Sequence, residues 1–221
     1  MTDLSHEEAL QLSEQSYLQP NAPGDQWVGA KKQLDKMREG IPPPVLSAMG
    51  KAMQRLKATS GLEGASLLDA GCASAYYSEI IEYYVPGWIS YVGIDRSPHM
   101  IEEAHKHYPE AEVYVGDMLN IDYPPQAFDI VLCAGTVNYI YLWKKALQEL
   151  ARVAKRYLLL HRMQLINEPT RMKRTEAYGH PVVVVLFNEQ EYNQALTAEG
   201  FTRIYHEPMT NASWTQIWER V

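Results

Sequence analysis

The chain has 221 residues, 46% hydrophobic and 21% charged, with a formal net charge of −7. That length suits one well-cored domain with a small appendage, and the acidic balance argues against a broad nucleic-acid or anionic-membrane surface. Two cysteines, Cys72 and Cys133, are too few for a disulfide framework. The opening MTDLSHEEALQL is acidic and polar rather than a leader, and the longest apolar run, PVVVVLF (181–187), is far too short to span a bilayer. These features predict a cytoplasmic protein without a membrane partner.

In chain order, residues 5–17 and 28–57 read as helices, separated by the breaker-rich QPNAPGDQ and interrupted by GIPPP at 40–44. From residue 65 the pattern changes to alternating strand and helix. Ser66–Asp69 is a short apolar strand, followed by a helix over Tyr76–Tyr84. Tyr91–Ile94 is a second strand, and Ser97-Pro98 supplies a cap and first residue for a helix running to His107. Glu112–Val115 and Phe128–Cys133 are further strands, with an amphipathic helix over Ile140–Val153 after the latter. Arg156–Leu160 is a fifth strand, and 161–180 reads as the connection that follows it. The run at 181–187 suits a buried strand. Asn188 caps a helix that stops at Gly200, and Phe201–Glu207 and Trp214–Val221 form a hairpin around MTNAS.

Strands alternating with helices imply a parallel sheet covered on both faces. The expected fold is α/β: a doubly wound, mainly parallel seven-stranded sheet with an antiparallel C-terminal hairpin strand. An N-terminal helical extension (1–60) precedes the main domain (61–221) and is a candidate lid, because closing helices exclude water from sites of this kind.

Ligands of such sheets sit beyond the carboxyl ends of the strands. Those ends here are Asp69-Ala70-Gly71, Asp95-Arg96, Gly116-Asp117-Met118, Ala134-Gly135-Thr136 and His161-Arg162. A dinucleotide pyrophosphate requires G-x-G-x-x-G for close backbone approach. Gly71-Cys72-Ala73-Ser74-Ala75-Tyr76 keeps only the first glycine. A cofactor without phosphate is less demanding.

With these residues the chain resembles the class I, Rossmann-like S-adenosylmethionine-dependent methyltransferases, from about residue 65 to the C-terminus. LLDAGCASA, YVGIDRSPHMIEEA, VYVGDMLNI and FDIVLCAGTVNYI look like four of that family's motifs in order. The resemblance implies S-adenosylmethionine as cofactor and S-adenosylhomocysteine as product. It implies Asp69, Ala70, Gly71, Cys72, Ala73 and Tyr77 around the first loop and Asp95 on the ribose. Arg96, Met100, Gly116, Asp117 and Met118 would lie around the adenine, and Ala134, Gly135 and Thr136 beneath the sulfonium. Ala73 and Ala75 depart from the family pattern, standing where it has glycines.

For the acceptor end, His161 is the candidate base, with Tyr139 as a second catalytic candidate. Tyr17, Trp27, Asn138, Arg162 and Tyr178 are the candidate substrate contacts. If the strand continued through them, His161 and Arg162 would point to opposite faces. Segment 161–180 carries four of the 20 Lys/Arg residues and two histidines against two glutamates, which suggests an anionic acceptor. No histidine or acid grouping has metal-ligand spacing. The expected activity is methyl transfer to a small or carrier-linked molecule. The alternatives are a methyltransferase acting on RNA or protein, and a regulatory protein that binds the cofactor without chemistry. Monomer and homodimer both stay open.

Overall fold

The structure is a computed structural model that describes residues 3–15, 18, 22–177, 179–209 and 213–221. Three helices open the chain: α1 (His6–Gln15), α2 (Ala22–Arg38) and α3 (Pro44–Thr59). The alternating region follows with β1 (Ala65–Ala70), α4 (Tyr76–Tyr84), β2 (Ile89–Asp95), α5 (Pro98–His107), β3 (Glu112–Val115) and β4 (Phe128–Ala134). A 3-10 turn (Thr136–Tyr139) leads to α6 (Trp143–Val153) and β5 (Ala154–Ile166). The chain ends with β6 (Arg171–Ala177), β7 (His180–Asn188), α7 (Glu189–Ala198), β8 (Phe201–Pro208) and β9 (Ser213–Arg220).

Strands β3-β2-β1-β4-β5 are parallel neighbours, and β9 then β8 continue the sheet antiparallel on the far side of β5. These seven correspond to the expected seven-stranded sheet, and the whole sheet has nine strands among the described residues. Strand order reverses between β1 and β4, which opens the crevice where such sheets hold ligands. Side chains alternate across the sheet, so both faces are buried. Leu68, Val131, Cys133, Leu158 and Leu160 pack under α6 and α7, whereas Leu67, Ile130, Leu132, Tyr157 and Leu159 pack under α3 and α4. That two-sided burial is why the central strands read as continuous apolar runs. Helix α3 contributes Leu46, Met49, Met53 and Leu56 to the second layer, each fully or almost fully buried, so it is part of the core and not a loose cover.

The sheet departs from expectation in one region. Strand β5 does not stop at Leu160 but runs to Ile166, and its end pairs parallel with β7, which carries β6 antiparallel. The segment 161–180 is therefore the end of a strand and most of a hairpin, not a loop. Valines 182–185 are buried, and β7 packs against α1 and the 3-10 turn. The hairpin thus rises above the carboxyl ends of β4 and β5.

Local signals at the other ends behave as the sequence suggests. Ser97 Oγ accepts the Met100 amide ahead of α5 with Pro98 in the first turn, and Asn188 Oδ1 accepts the Glu191 amide ahead of α7. Helix α6 starts at Trp143, later than expected, because residues 136–139 close a tight 3-10 turn first.

Candidate active site

The loop after β1 is built on three left-handed residues. Gly71, Ala73 and Ala75 have φ of +80°, +49° and +59°. At Gly71 a Cβ would lie 2.4 Å from Thr136 Oγ1, so no side chain fits. The Thr136 hydroxyl donates to the Gly71 carbonyl at 3.1 Å, tying the β1 loop to the β4 loop. The two alanines hold the conformation that glycines adopt more readily, at a strain cost.

At the end of β2, Asp95 is fixed by backbone donors. Its Oδ2 accepts the Ala73 amide at 3.0 Å and its Oδ1 accepts the Ser97 amide at 2.9 Å. Each oxygen keeps a second lone pair for a ligand hydroxyl. Burial pushes the Asp95 carboxyl above the usual range despite these amides. Asp117 Oδ1 accepts the Leu119 amide at 2.8 Å, and Met100 and Met118 face the same space as nearly buried apolar walls.

These loops line one cavity of about 520 Å³, a size that suits a small organic ligand. Gly71, Cys72, Ala73 and Tyr77 bound one side. Asp95, Arg96, Gly116 and Asp117 bound a second, with Ala134, Gly135, Thr136 and Asn138 on a third. Tyr139 and Arg162 also line the cavity. The roof is supplied by α1 through Leu10, Ser13 and Glu14 and by Ala177 at the end of β6. Gln26 and Gln33 of α2 add polar groups, and the Ser74 hydroxyl donates to Gln26 Oε1 at 2.6 Å.

Four expected site residues are placed elsewhere in the molecule. His161 is fully buried and does not line the cavity: its Nδ1 meets the Thr215 hydroxyl at 2.8 Å and its ring stands edge-on to Tyr77. Burial, with the nearby Arg162 charge, lowers its pKa to about 3, so it is neither exposed nor basic enough to take a proton from an acceptor. Trp27 stacks on His107 with ring centroids 3.6 Å apart, packing α2 onto α5 away from the cavity. Asp69 and Ala70 lie beneath the loop, fully buried. Asp69 Oδ2 accepts the Tyr91 hydroxyl at 2.8 Å, its Oδ1 has no partner, and burial raises its pKa to about 7. Tyr17 and Tyr178 lie outside the described residues.

The cavity residues outside the sequence candidates include Leu10, Ser13 and Glu14 of α1, Gln26 and Gln33 of α2, Val45 of α3, Ala177 of β6, Met209 and Ser213. These lie outside the strand-end motifs, and only the three-dimensional path of the chain brings them in; Leu119 and Ile140, also in the lining, lie within motifs but are not among the sequence candidates. Among the described residues no group of His, Cys, Asp and Glu could hold a metal ion, and no helix is long and apolar enough to cross a membrane.

The donor set fits S-adenosylmethionine. A carboxylate held by two amides can accept a ribose diol, two methionines can flank a purine, and Arg96 and Arg162 are the only cations among the described lining residues. Nothing in the loop provides the close glycine approach a pyrophosphate requires.

Comparisons with known proteins agree with this chemistry. Residues 68–157 match the family described as "Methyltransferase domain". No curated protein matches the chain. Among solved structures, S-adenosylmethionine-bound CalS10, an amino pentose methyltransferase from Micromonospora echinaspora, is 19% identical. It has a TM-score of 0.65 over 85% of this chain and 95% of that one. DesVI of Streptomyces venezuelae is 16% identical with a TM-score of 0.65, covering 86% of this chain and 98% of its own. The magnesium protoporphyrin IX methyltransferase ChlM of Synechocystis PCC 6803, with bound S-adenosylhomocysteine, is 18% identical. Its TM-score is 0.62 over 80% of this chain and 84% of that one. At these identities the likeness is one of fold.

Proposed function

We propose that the chain, whose residues 68–157 match the family described as "Methyltransferase domain", transfers the methyl group of S-adenosylmethionine to a small acceptor held between the 3-10 turn, Arg162 and α1. The observation that carries this reading is the cavity at the strand-order reversal, with a doubly held carboxylate on its wall and residues of α1 and β6 in its lining. A roofed space of about 520 Å³ suits a small molecule. The solved relatives named for an amino pentose and for magnesium protoporphyrin IX support that acceptor class.

The cofactor supplies a methyl carbon already activated by an adjacent sulfonium. The protein's part is to bind, orient and exclude water. Asp95 holds the ribose hydroxyls, Met100 and Met118 flank the adenine, and Asp117 accepts from the adenine amino group. Gly71, Ala134 and Gly135 leave room for the amino-acid end. Tyr139 and Arg162 face the acceptor. A protein base is optional for this chemistry, and buried His161 does not serve as one. Helix α1 closes over both ligands as a lid.

Isothermal titration with S-adenosylhomocysteine tests the reading. Binding in the micromolar range is expected, weakened about tenfold or more in Asp95→Ala as charge-assisted hydrogen bonds are lost. Absence of binding to the unsubstituted protein would overturn it.

A further inference from the structure

We propose that Arg162 is an anion anchor of the cavity and that Asn138 is the positioning residue that holds it there. The group bound beside Gly135 then carries a carboxylate or phosphate, an assignment that rests on the methyltransferase reading for its source. The argument begins with strand register. Leu160 of β5 pairs with Gln216 of β9, but the next pair is Met163 with Trp214. Two residues, His161 and Arg162, therefore stand opposite one, Thr215. That count defines a β-bulge, a device that re-aims a side chain next to a site.

The core records the same slip. Before the bulge Leu158 and Leu160 face the α6 and α7 layer; after it Met163 and Leu165 do. One residue has been inserted into the alternation. His161 keeps its place in line with Tyr157 and Leu159 on the other face, against Tyr77. The inserted residue is Arg162, with φ of +64°, a conformation costly for a side chain of this size and concentrated at functional sites.

Asn138 secures that backbone. It is 2% exposed, its Nδ2 donates to the Arg162 carbonyl at 2.8 Å, and the Gln164 amide approaches its Oδ1 at 3.5 Å. Its side chain thus spans the bulge from the cavity wall. The arginine runs alongside Gly135: a Cβ there would sit in ordinary contact, 3.4 Å from Arg162 Cβ and 3.8 Å from Cδ, and it is the φ of +93° that favours glycine. The guanidinium runs across the β4 end, and its charge acts on the hydroxyls of Tyr76 and Tyr77.

Charge is also divided along the cavity. Asp95 and Asp117 gather at the β2–β3 end, where Arg96 donates to the carbonyls of Ser13 and Glu14 at 2.8 Å. Arg162 brings positive charge to the β4–β5 end. A planar guanidinium there matches an oxyanion in two-pronged fashion. Two ligands can supply it: the amino-acid carboxylate of the cofactor, or an acidic group on the acceptor.

The test compares Arg162→Gln and Asn138→Ala with the unsubstituted protein by calorimetry, using S-adenosylhomocysteine and 5′-methylthioadenosine, which lacks the amino-acid carboxylate. If the anchor takes the cofactor's carboxylate, S-adenosylhomocysteine weakens about tenfold or more in Arg162→Gln while methylthioadenosine is unchanged. If it takes the acceptor's anion, neither weakens. Acetate or methyl phosphate at constant ionic strength then raises the Tm of the S-adenosylhomocysteine complex, and Arg162→Gln abolishes that rise. Asn138→Ala reproduces the Arg162→Gln pattern in reduced measure; a lower Tm without that pattern would refute its positioning role. Equal weakening of both nucleosides, or anion and nucleoside responses identical to the unsubstituted protein, would overturn the anchor. If the unsubstituted protein binds neither nucleoside, the methyltransferase reading fails by itself. The anion response of the unliganded protein and of Arg162→Gln then still decides the anchor.

Discussion

Individual residues of the β1 loop show what its lost glycines mean. Gly71, Ala73 and Ala75 share the left-handed conformation, so the loop shape survives without the glycines. The penalty for an L-residue there is roughly 1–2 kcal/mol, partly offset because alanine restricts the unfolded chain. Ala73 is half-buried, so Ala73→Gly removes little packing and should stabilise the protein by about 0.5–1 kcal/mol. Ala73→Val, branched at the same φ, should destabilise; denaturant melts of both variants check the pair. Beneath the loop, Asp69 and His161 titrate in opposite senses. Asp69, raised from 3.8 to about 7, adds stability below the unfolded value that is lost as pH rises through 7. His161, lowered from 6.5 to about 3, adds stability above 6.5 that is lost as pH falls toward 3. Each shift corresponds to about 4–5 kcal/mol at 1.36 kcal/mol per unit, so between pH 4 and 6.5 the two largely cancel. Removing one exposes the other. Thermal melts should show Asp69→Asn losing stability on acidification from pH 7 to 5, and His161→Gln gaining it; parallel pH profiles would contradict the assignment.

Among the elements, α1 is fastened to the site by specific bonds. The Ser13 hydroxyl donates to the Tyr139 carbonyl at 3.2 Å and accepts the Tyr141 amide at 2.9 Å. Arg96 satisfies carbonyls at the α1 C-terminus, groups a helix end otherwise leaves unpaired. Tyr141 also meets the His6 ring, and the Leu4 amide donates to Met172 of β6. Ser13→Ala leaves the buried Tyr141 amide without a partner, a cost of about 1–3 kcal/mol. That cost should appear as local opening: amide exchange faster by about tenfold or more over residues 6–15, with α3 and α4 unchanged. Exchange rising equally across the core would show that α1 is not a separate unit. The β6–β7 hairpin illustrates why this part was hard to read. Its valines are apolar on both faces, as expected of a buried strand, but β6 is RMKRTEA, a charged sequence with no clean alternation. Only its pairing with β7 in a hairpin makes it a strand. The bulge at Arg162 was likewise illegible, since "LLLHRMQLI" carries no glycine or proline to mark it.

For the whole molecule, the alternation of short apolar strands and amphipathic helices made the parallel sheet legible, because period and length are local properties that burial on two faces imposes. The motif ends of β1, β2, β3 and β4 were legible for the same reason: topology sends every strand end in a parallel sheet to one edge. Side-chain direction was not, and it separates Arg162, which lines the cavity, from His161, which does not. The roof was legible only in outline: the N-terminal helices read as a candidate lid, but neither the residues of α1 and α2 that line the cavity nor the hairpin beside them could be told from the motifs, which lie far away in sequence. Because the cavity is assembled from residues 10 to 213, a ligand there touches both ends of the chain and stabilises the native molecule as a unit. Binding only to the folded state adds RT ln(1 + [L]/Kd), about 2.7 kcal/mol at a ligand concentration one hundred times Kd. A domain of this size shifts by roughly 2–4 °C per kcal/mol, so saturating S-adenosylhomocysteine should raise Tm by about 5–11 °C. In Asp95→Ala the same concentration should give a much smaller rise, because the reduced affinity enters the logarithm directly. A full shift in that variant would place the nucleoside somewhere other than beside the doubly held carboxylate, and a second transition unmoved by ligand would show that the N-terminal helices melt apart from the sheet.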